Sequence, residues 1–198
     1  MSTESSRERI LARVRSAVKE TDFPLPEVPN FAVAGDPVVN FIGKLEGFDG
    51  KALRFASRAE AIEWLRGNIN FDGKTVFSAL PDFRGNFTSD DVADPHAAAA
   101  IDVCVGEGLL GVGETGSVWV TDEAVGKAAC ALMSTDLYLL LDGSRIVDGI
   151  HTAYSMLDIR STPYGSFFTG PSATADIEAV HITGAQGEIS LTVLIYGL

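Results

Sequence analysis

Basic charge is scarce in this chain: 15 Lys and Arg stand against 27 Asp and Glu, for a net charge of −12. Binding a phosphate backbone needs clustered cations. The densest basic stretch (Arg7, Arg9, Arg13, Arg15, Lys19) is interrupted by Glu4, Glu8 and Glu20 and reads as a solvated helix face. Nucleic acid is therefore not an expected partner. Cysteine is nearly absent. Cys104 and Cys130 cannot build a disulfide framework, a CxxC site or a four-thiolate iron–sulfur cluster, and their apolar context predicts buried free thiols. Long apolar runs are missing too; Leu137–Leu141 falls far short of the about 20 residues a spanning helix needs. The opening residues have no apolar secretory core and carry acids, which predicts a cytoplasmic protein. His96, His151 and His181 show no metal-ligand spacing, and neither H-E-x-x-H nor G-x-S-x-G occurs. No metal and no bound cofactor are expected.

What is present is an ordinary globular composition, 46% hydrophobic and 21% charged over 198 residues. A chain of this size buries about 70% of its unfolded surface, enough for one substantial core. Ser5 or Ser6 followed by Glu8 forms a capping box, and Ile10, Leu11, Val14, Ala17 and Val18 recur at helical spacing. Prolines then interrupt the chain between Thr21 and Pro29, so residues 1–36 read as a helical arm with a connector and 37–198 as the main domain. Within it, residues 38–45 predict a helix, 51–56 a strand, a Ser57–Glu60 capping box a helix carrying Ile62, Leu65 and Ile69, and 74–80 a strand. That strand–helix–strand order predicts a βαβ unit and a parallel sheet. Further strands are expected at 101–105, 117–121, 137–141, 166–169 and 191–196. A helix capped by Thr121 or Asp122 would carry Val125, Ala128, Ala129 and Leu132. Another, capped by Asp142 or Ser144, would present Ile146, Ile150, Ala153, Tyr154 and Leu157. The fold class is α/β, with a mainly parallel central sheet flanked by helices and an N-terminal helical arm.

Two segments carry candidate chemistry. Residues 106–116 contain a literal GxGxxG in Gly111, Gly113 and Gly116, but a strand rather than a helix follows, which defeats the dinucleotide reading. Glycines there let the backbone bend between two strands and expose amides to an anion. Glu114 at the bend is a candidate base or nucleophile, or else a brace for the hairpin. The second segment runs from Phe168 to Glu178. Gly170 turns the chain, Pro171 suits the first turn of a short helix, and Ser172 and Thr174 offer hydroxyls beside its free amides. Asp176 and Glu178 could orient a ligand or satisfy buried amides. The candidate ligand-binding set is Thr115, Gly116, Ser117, Thr169, Gly170, Ser172, Thr174 and Asp176, with Glu114 as the catalytic candidate.

In order, Glu114-Thr-Gly-Ser-Val118, the apolar strand Leu137–Leu141, Thr169-Gly-Pro-Ser-Ala-Thr-Ala-Asp-Ile-Glu178 and Gly184-Ala-Gln-Gly-Glu-Ile-Ser-Leu-Thr-Val-Leu194 resemble the lactate-utilization protein C family, whose module is the LUD domain, also called DUF162. The opening helix is similar as well. The sequence departs from the family's Gly-x-His-Gly-Pro, with Gln186 and Glu188 in place of the His and Pro, and the family's basic residue has only Lys127 as a neighbouring counterpart. The resemblance implies a fold like the sugar-phosphate isomerase and CoA-transferase superfold. It also implies a role in oxidising L-lactate to pyruvate beside iron–sulfur partner proteins, with this chain as a non-redox subunit binding a small carboxylate or phosphate-like ligand. Two rival expectations follow. One is an independent isomerase-like or acyl-CoA-transfer enzyme using Glu114, since Glu114-Thr-Gly loosely resembles the nucleophilic Glu-Asn-Gly of some CoA transferases. The other is a scaffold without catalysis. A homo-oligomer is compatible with all three. Convergence of residues 114–117 and 169–176 on one cavity is the geometric expectation that separates them.

Overall fold

The computed structural model describes residues 5–18, 24, 26, 27, 29, 31, 33–92, 94–175, 181–185 and 187–198. Contacts divide the chain into Met1–Asn30 and Phe31–Leu198. Among its described residues the first unit contains one helix, α1 (Ser6–Ala17), begun by the capping box expected from the sequence: Ser5 Oγ accepts from Glu8 N, and the Glu8 carboxylate accepts from Ser5 N at 2.8 Å.

The second unit is α/β and centres on a five-stranded parallel sheet in the order β1-β11-β6-β3-β2. These strands are β1 (Lys51–Phe55), β2 (Val76–Ser78), β3 (Val103–Gly108), β6 (Asp136–Asp142) and β11 (Ser190–Tyr196). The helix between β1 and β2, α3 (Arg58–Asn68), starts at an Ser57 cap as expected. The strand–helix–strand order and the parallel sheet are as expected, with a wider crossover than that of neighbouring strands. β1 and β2 are not neighbours but the two outer strands, and α3 crosses the whole sheet between them. From β2 the chain then steps back strand by strand through β3 and β6 to β11. Right-handed crossovers running in opposite directions must cover opposite faces. Accordingly, Ala61, Ile62 and Leu65 of α3, with Ile69 just after it, pack with Val103, Val105, Leu140 and Leu194 on one face. On the other, Leu137, Leu139, Leu141, Leu191, Val193 and Ile195 meet α2 (Pro37–Gly47) and α4 (Ala128–Met133). Burial of β6 on both faces explains its unbroken apolar run.

A second, four-stranded sheet lies beyond that face in the order β7-β4-β5-β8: β4 (Leu110–Val112), β5 (Ser117–Thr121), β7 (Ile146–Val147) and β8 (Gly165–Phe168). Val118 and Val120 of β5 join the central core, while Trp119 turns outward to pack with Ala153 of α5 (Ile150–Met156). A small antiparallel ribbon, β9 (Ala173–Ala175) with β10 (His181–Thr183), is exposed along both strands.

Three local expectations differ from the structure. Residues 122–132 form a 3-10 turn, Glu123–Val125, and then α4, because Gly126 at φ 75° breaks the helix; Asp122 Oδ1 bridges the break by accepting from Ala128 N. The helix expected from Asp142 is a 3-10 turn, Gly143–Arg145, leading into β7; Ile146 sits in a strand and α5 starts only after Gly149. After Pro171 the chain enters β9 rather than a helix, so no helix N-terminus stands behind Ser172 and Thr174.

Candidate functional site

The first glycine segment is the hairpin turn between β4 and β5, with Leu110 opposite Trp119 and Gly116 N donating to Val112 O at 2.8 Å. Gly116 adopts φ +68°, and a Cβ there would lie 2.4 Å from Leu45 N of α2. Only glycine meets both demands. Glu114 points away from the hairpin: its amide donates to Asp148 O, and its Oε2 accepts from Ile150 N at 2.9 Å, capping the first turn of α5. Of the two readings of Glu114, this geometry is that of a brace.

The second bend does reach the first. Ser117 Oγ donates to Thr115 Oγ1 at 2.7 Å and lies 2.5 Å from Thr169 Oγ1, so three hydroxyls form a relay that ties the stem of the second turn to the hairpin. Gly170, at φ +65°, packs so closely on Phe48 O that a Cβ would stand 2.0 Å from it. Thr115, Ser117, Thr169 and the two glycines therefore meet, but not around the single cavity expected for residues 114–117 and 169–176. They converge on the C-terminal end of α2, where Leu45 and Phe48 occupy the junction.

Open space lies on the other side of the second turn. Ser172 N donates to Glu188 O at 2.9 Å, and Gly184 N donates to Ser172 O at 2.7 Å. The far side of the same strand entry is held by Ile189 N and Ser190 N, both donating to Thr135 O. Gly187 is wedged between these supports, its missing Cβ 2.8 Å from Ser172 Cβ and 3.4 Å from Leu132 O. Two adjoining pockets sharing Ala185 open here. One, of about 640 Å³, is bounded by residues 132–135, Gly184, Gly187 and Ile189; the other, of about 530 Å³, by Ser172, Ala173 and Thr174. Ser172 and Thr174 thus face a cleft. Asp176, Glu178 and Gln186 lie outside the described residues.

Sequence reasoning missed two features. At the C-terminal edge of the parallel sheet, Arg58 Nη1 donates to both Glu107 oxygens at 2.8 and 2.9 Å, while its Nε and Nη2 bind Asp82 at 2.8 and 3.1 Å. The guanidinium also lies 5.7 Å from the centroid of the Tyr196 ring. Its hydrogen bonds hold the Asp82 carboxyl below the usual range. These four residues come from separate parts of the chain, and no spacing announces them. The second is Glu188, buried at the edge of the cleft, where desolvation pushes its carboxyl up from 4.5. Its signal was the departure from the family's proline. Both thiols are buried and shifted upward by desolvation, Cys104 strongly. Among the described residues, no group of three or more His, Cys, Asp or Glu could hold a metal ion. Nor, among them, is any helix long and apolar enough to cross a membrane.

A five-stranded parallel α/β domain with a cleft beside the entry to β11 defines the class. The chain belongs to the LUD domain family, matched over residues 92–196, and this membership suggests a role in lactate utilization. The match spans β3 to β11 and includes the hairpin, the Ser172 turn and the cleft. A crystal structure of a DUF162 family protein from Deinococcus radiodurans has the same fold: TM-score 0.63 at 12% identity, covering 81% of this chain and 96% of that one. No curated protein matches the sequence.

Proposed function

We propose that this chain is a non-redox subunit or accessory protein of a lactate-oxidising system, holding a small monocarboxylate in the cleft around Ala185 while iron–sulfur partner proteins carry the electrons. One observation carries the reading. The two family-resembling stretches, Thr169–Ala175 and Gly184–Leu194, are hydrogen-bonded to each other through Ser172 and Glu188 at the rim of that cleft. Thr135, Ser172 and Thr174, all in the described lining, carry hydroxyls that can donate to a carboxylate. The described lining residues include no Lys or Arg. A doubly charged phosphate would meet no cation to offset its desolvation, whereas a singly charged carboxylate can be held by hydroxyls and amides. Electron transfer falls to partners because the two thiols are buried and cannot ligate a cluster between them.

The acyl-transfer alternative weakens because Glu114 is committed to Ile150 N. The reading is tested by isothermal titration of the protein with L-lactate and pyruvate. Binding by the native chain, weakened roughly tenfold in Ser172→Ala by loss of a hydrogen bond to a charged group, supports it. Absence of binding, or equal binding in the variant, removes the ligand role. The partner claim predicts co-purification with iron–sulfur proteins from lactate-grown cells; recovery of the chain alone would contradict it.

A further inference from the structure

The loop that leaves the carboxyl end of β2 folds back along the outer edge of that strand. Asn86 stands in for a backbone unit there: its Oδ1 accepts from Val76 N at 2.7 Å, and its Nδ2 donates to Lys74 O at 2.8 Å. Phe87 N then donates to Val76 O at 3.0 Å, and Phe77 and Phe87 form a parallel bridge. Gly85 permits the approach, since a Cβ at that position would lie 2.1 Å from Val76 O. The earlier part of the loop is pinned at Asp82. Its carboxylate takes Nε and Nη2 of Arg58, and its carbonyl accepts from Arg66 Nη2 at 2.9 Å.

A cavity of about 260 Å³ lies within this braced loop, bounded among others by Ser78, Leu80, Phe83, Arg84, Thr88 and Ser89. Leu80 and Phe83 are buried and belong to the core beneath it. Arg84 is the one charged residue in the described lining. The other arginines of this edge, Arg58 and Arg66, are engaged in ion pairs; among the described residues Arg84 enters none. The neighbouring acids are turned to other partners. Asp82 is held by Arg58, and Asp91 accepts from Thr88 N and Oγ1 at 2.8 and 2.7 Å. Ser78 Oγ accepts from Leu80 N at 3.1 Å, which leaves the hydroxyl proton to be donated elsewhere.

This lining suits an anion with more than two oxygens. The field of a chain with net charge −12 opposes any dianion, and the cleft around Ala185 has no described cation to set against it. Here Arg84 supplies a planar fork that can meet two oxygens of one group. A carboxylate is satisfied by that fork alone, whereas a phosphoryl group has further oxygens for the serine hydroxyls. We propose that the cavity is a second ligand site that holds a phosphoryl group, as inorganic phosphate or as the end of a phosphomonoester, on Arg84 with Ser78 and Ser89 as donors. It is independent of the lactate reading, because no described lining residue is shared with the Ala185 cleft.

The experiment is amide chemical-shift mapping with titration calorimetry of the full chain in phosphate-free buffer, using inorganic phosphate, glycerol 3-phosphate and acetate as probes. Saturable shifts centred on residues 78–89 are expected with one or both phosphates. Tighter binding of the ester identifies a ligand that extends out of the cavity; tighter binding of the free anion identifies phosphate itself. Arg84→Ala should weaken binding about tenfold or more through loss of charge-assisted bonds, and Arg84→Lys should recover only part of it. Arg84 is exposed, so neither substitution should move the denaturation midpoint. Absence of saturable shifts in this segment with either phosphate overturns the proposal. So does acetate binding as tightly as phosphate, or phosphate binding unchanged in Arg84→Ala. Should that variant fail to fold, the location of the shifts in the native chain decides alone.

Discussion

At the scale of single residues, the two glycine bends are tied to α2 by sterics. Gly116→Ala would place a Cβ against Leu45 N while holding a left-handed φ, and Gly170→Ala would do the same against Phe48 O. Each is expected to destabilise by about 2 kcal/mol or more, through backbone strain and overpacking together, as read from chemical denaturation midpoints. Arg58 acts differently, joining Glu107 and Asp82 across the sheet edge. Arg58→Ala leaves two carboxylates facing one another and should cost about 1 kcal/mol, a figure discounted because the pair is partly solvated. Arg58→Lys should recover little of it, because an ammonium cannot serve both partners as a fork.

Two residues set opposing pH dependences. The Asp82 carboxyl is held below its ordinary 3.8, chiefly by hydrogen bonds from Arg58, so its stabilisation is present above 3.8 and is lost as pH falls through the lowered value. Glu188 is raised above 4.5 by burial. In the interval above 4.5 the folded chain binds the extra proton, so stability falls as pH rises toward the folded-state value. Denaturation at several pH values should therefore show Glu188→Gln losing the alkaline-side decline while keeping the acid-side loss.

At the scale of elements, burial orders the strands by expected protection. β6 lies at the centre of the sheet between β3 and β11, with Leu137, Leu139, Leu140 and Leu141 all at 0% exposure. Among the described residues, β9 and β10 pair only with each other and are exposed throughout. Native-state hydrogen exchange should be slowest in β6 and β11 and fast in β9–β10, since a lone two-stranded ribbon is marginal in water. Equal protection in the ribbon would mean that it is covered by something else.

The elements legible in the sequence were those with a local chemical signature. Ser5 and Ser57 announced their helices by capping boxes, and Leu137–Leu141 announced a strand covered on both faces. The misread ones depended on distant partners. Ile146 fits a helical stripe with Ile150 and Ala153, but pairing with Gly111 claims it for β7. Pro171 suits a helix start, yet β10 returns beside Ala173–Ala175 and makes a ribbon of them. The strand order was beyond reach for the same reason, since nothing near β1 says that its neighbour is β11, far along the chain. The candidate site was half legible. Hydroxyls at 115, 117, 169 and 172, expected as ligand-binding groups, stand at the two bends, and of these Ser172 borders the cleft. Which side of the second turn was open depended on the packing of Phe48 and Gly187, and no periodicity encodes that.

At the scale of the whole molecule, the net charge of −12 meets a cleft whose described lining has no acid and no base. The surrounding field disfavours multivalent anions and makes the approach of any anion dependent on ionic strength. Added salt should accordingly speed lactate association by screening that repulsion, measurable by stopped-flow at several salt concentrations. Slower association at higher salt would place an unrecognised cation near the path.

The most direct measurement is amide chemical-shift mapping of the native chain during titration with L-lactate. Saturable shifts confined to residues 132–135, 172–174 and 184–189 are expected, with Glu114 and Ile150 unmoved. Shifts centred on Glu114 and the start of α5, or none anywhere at saturating lactate, would contradict the cleft as the ligand site.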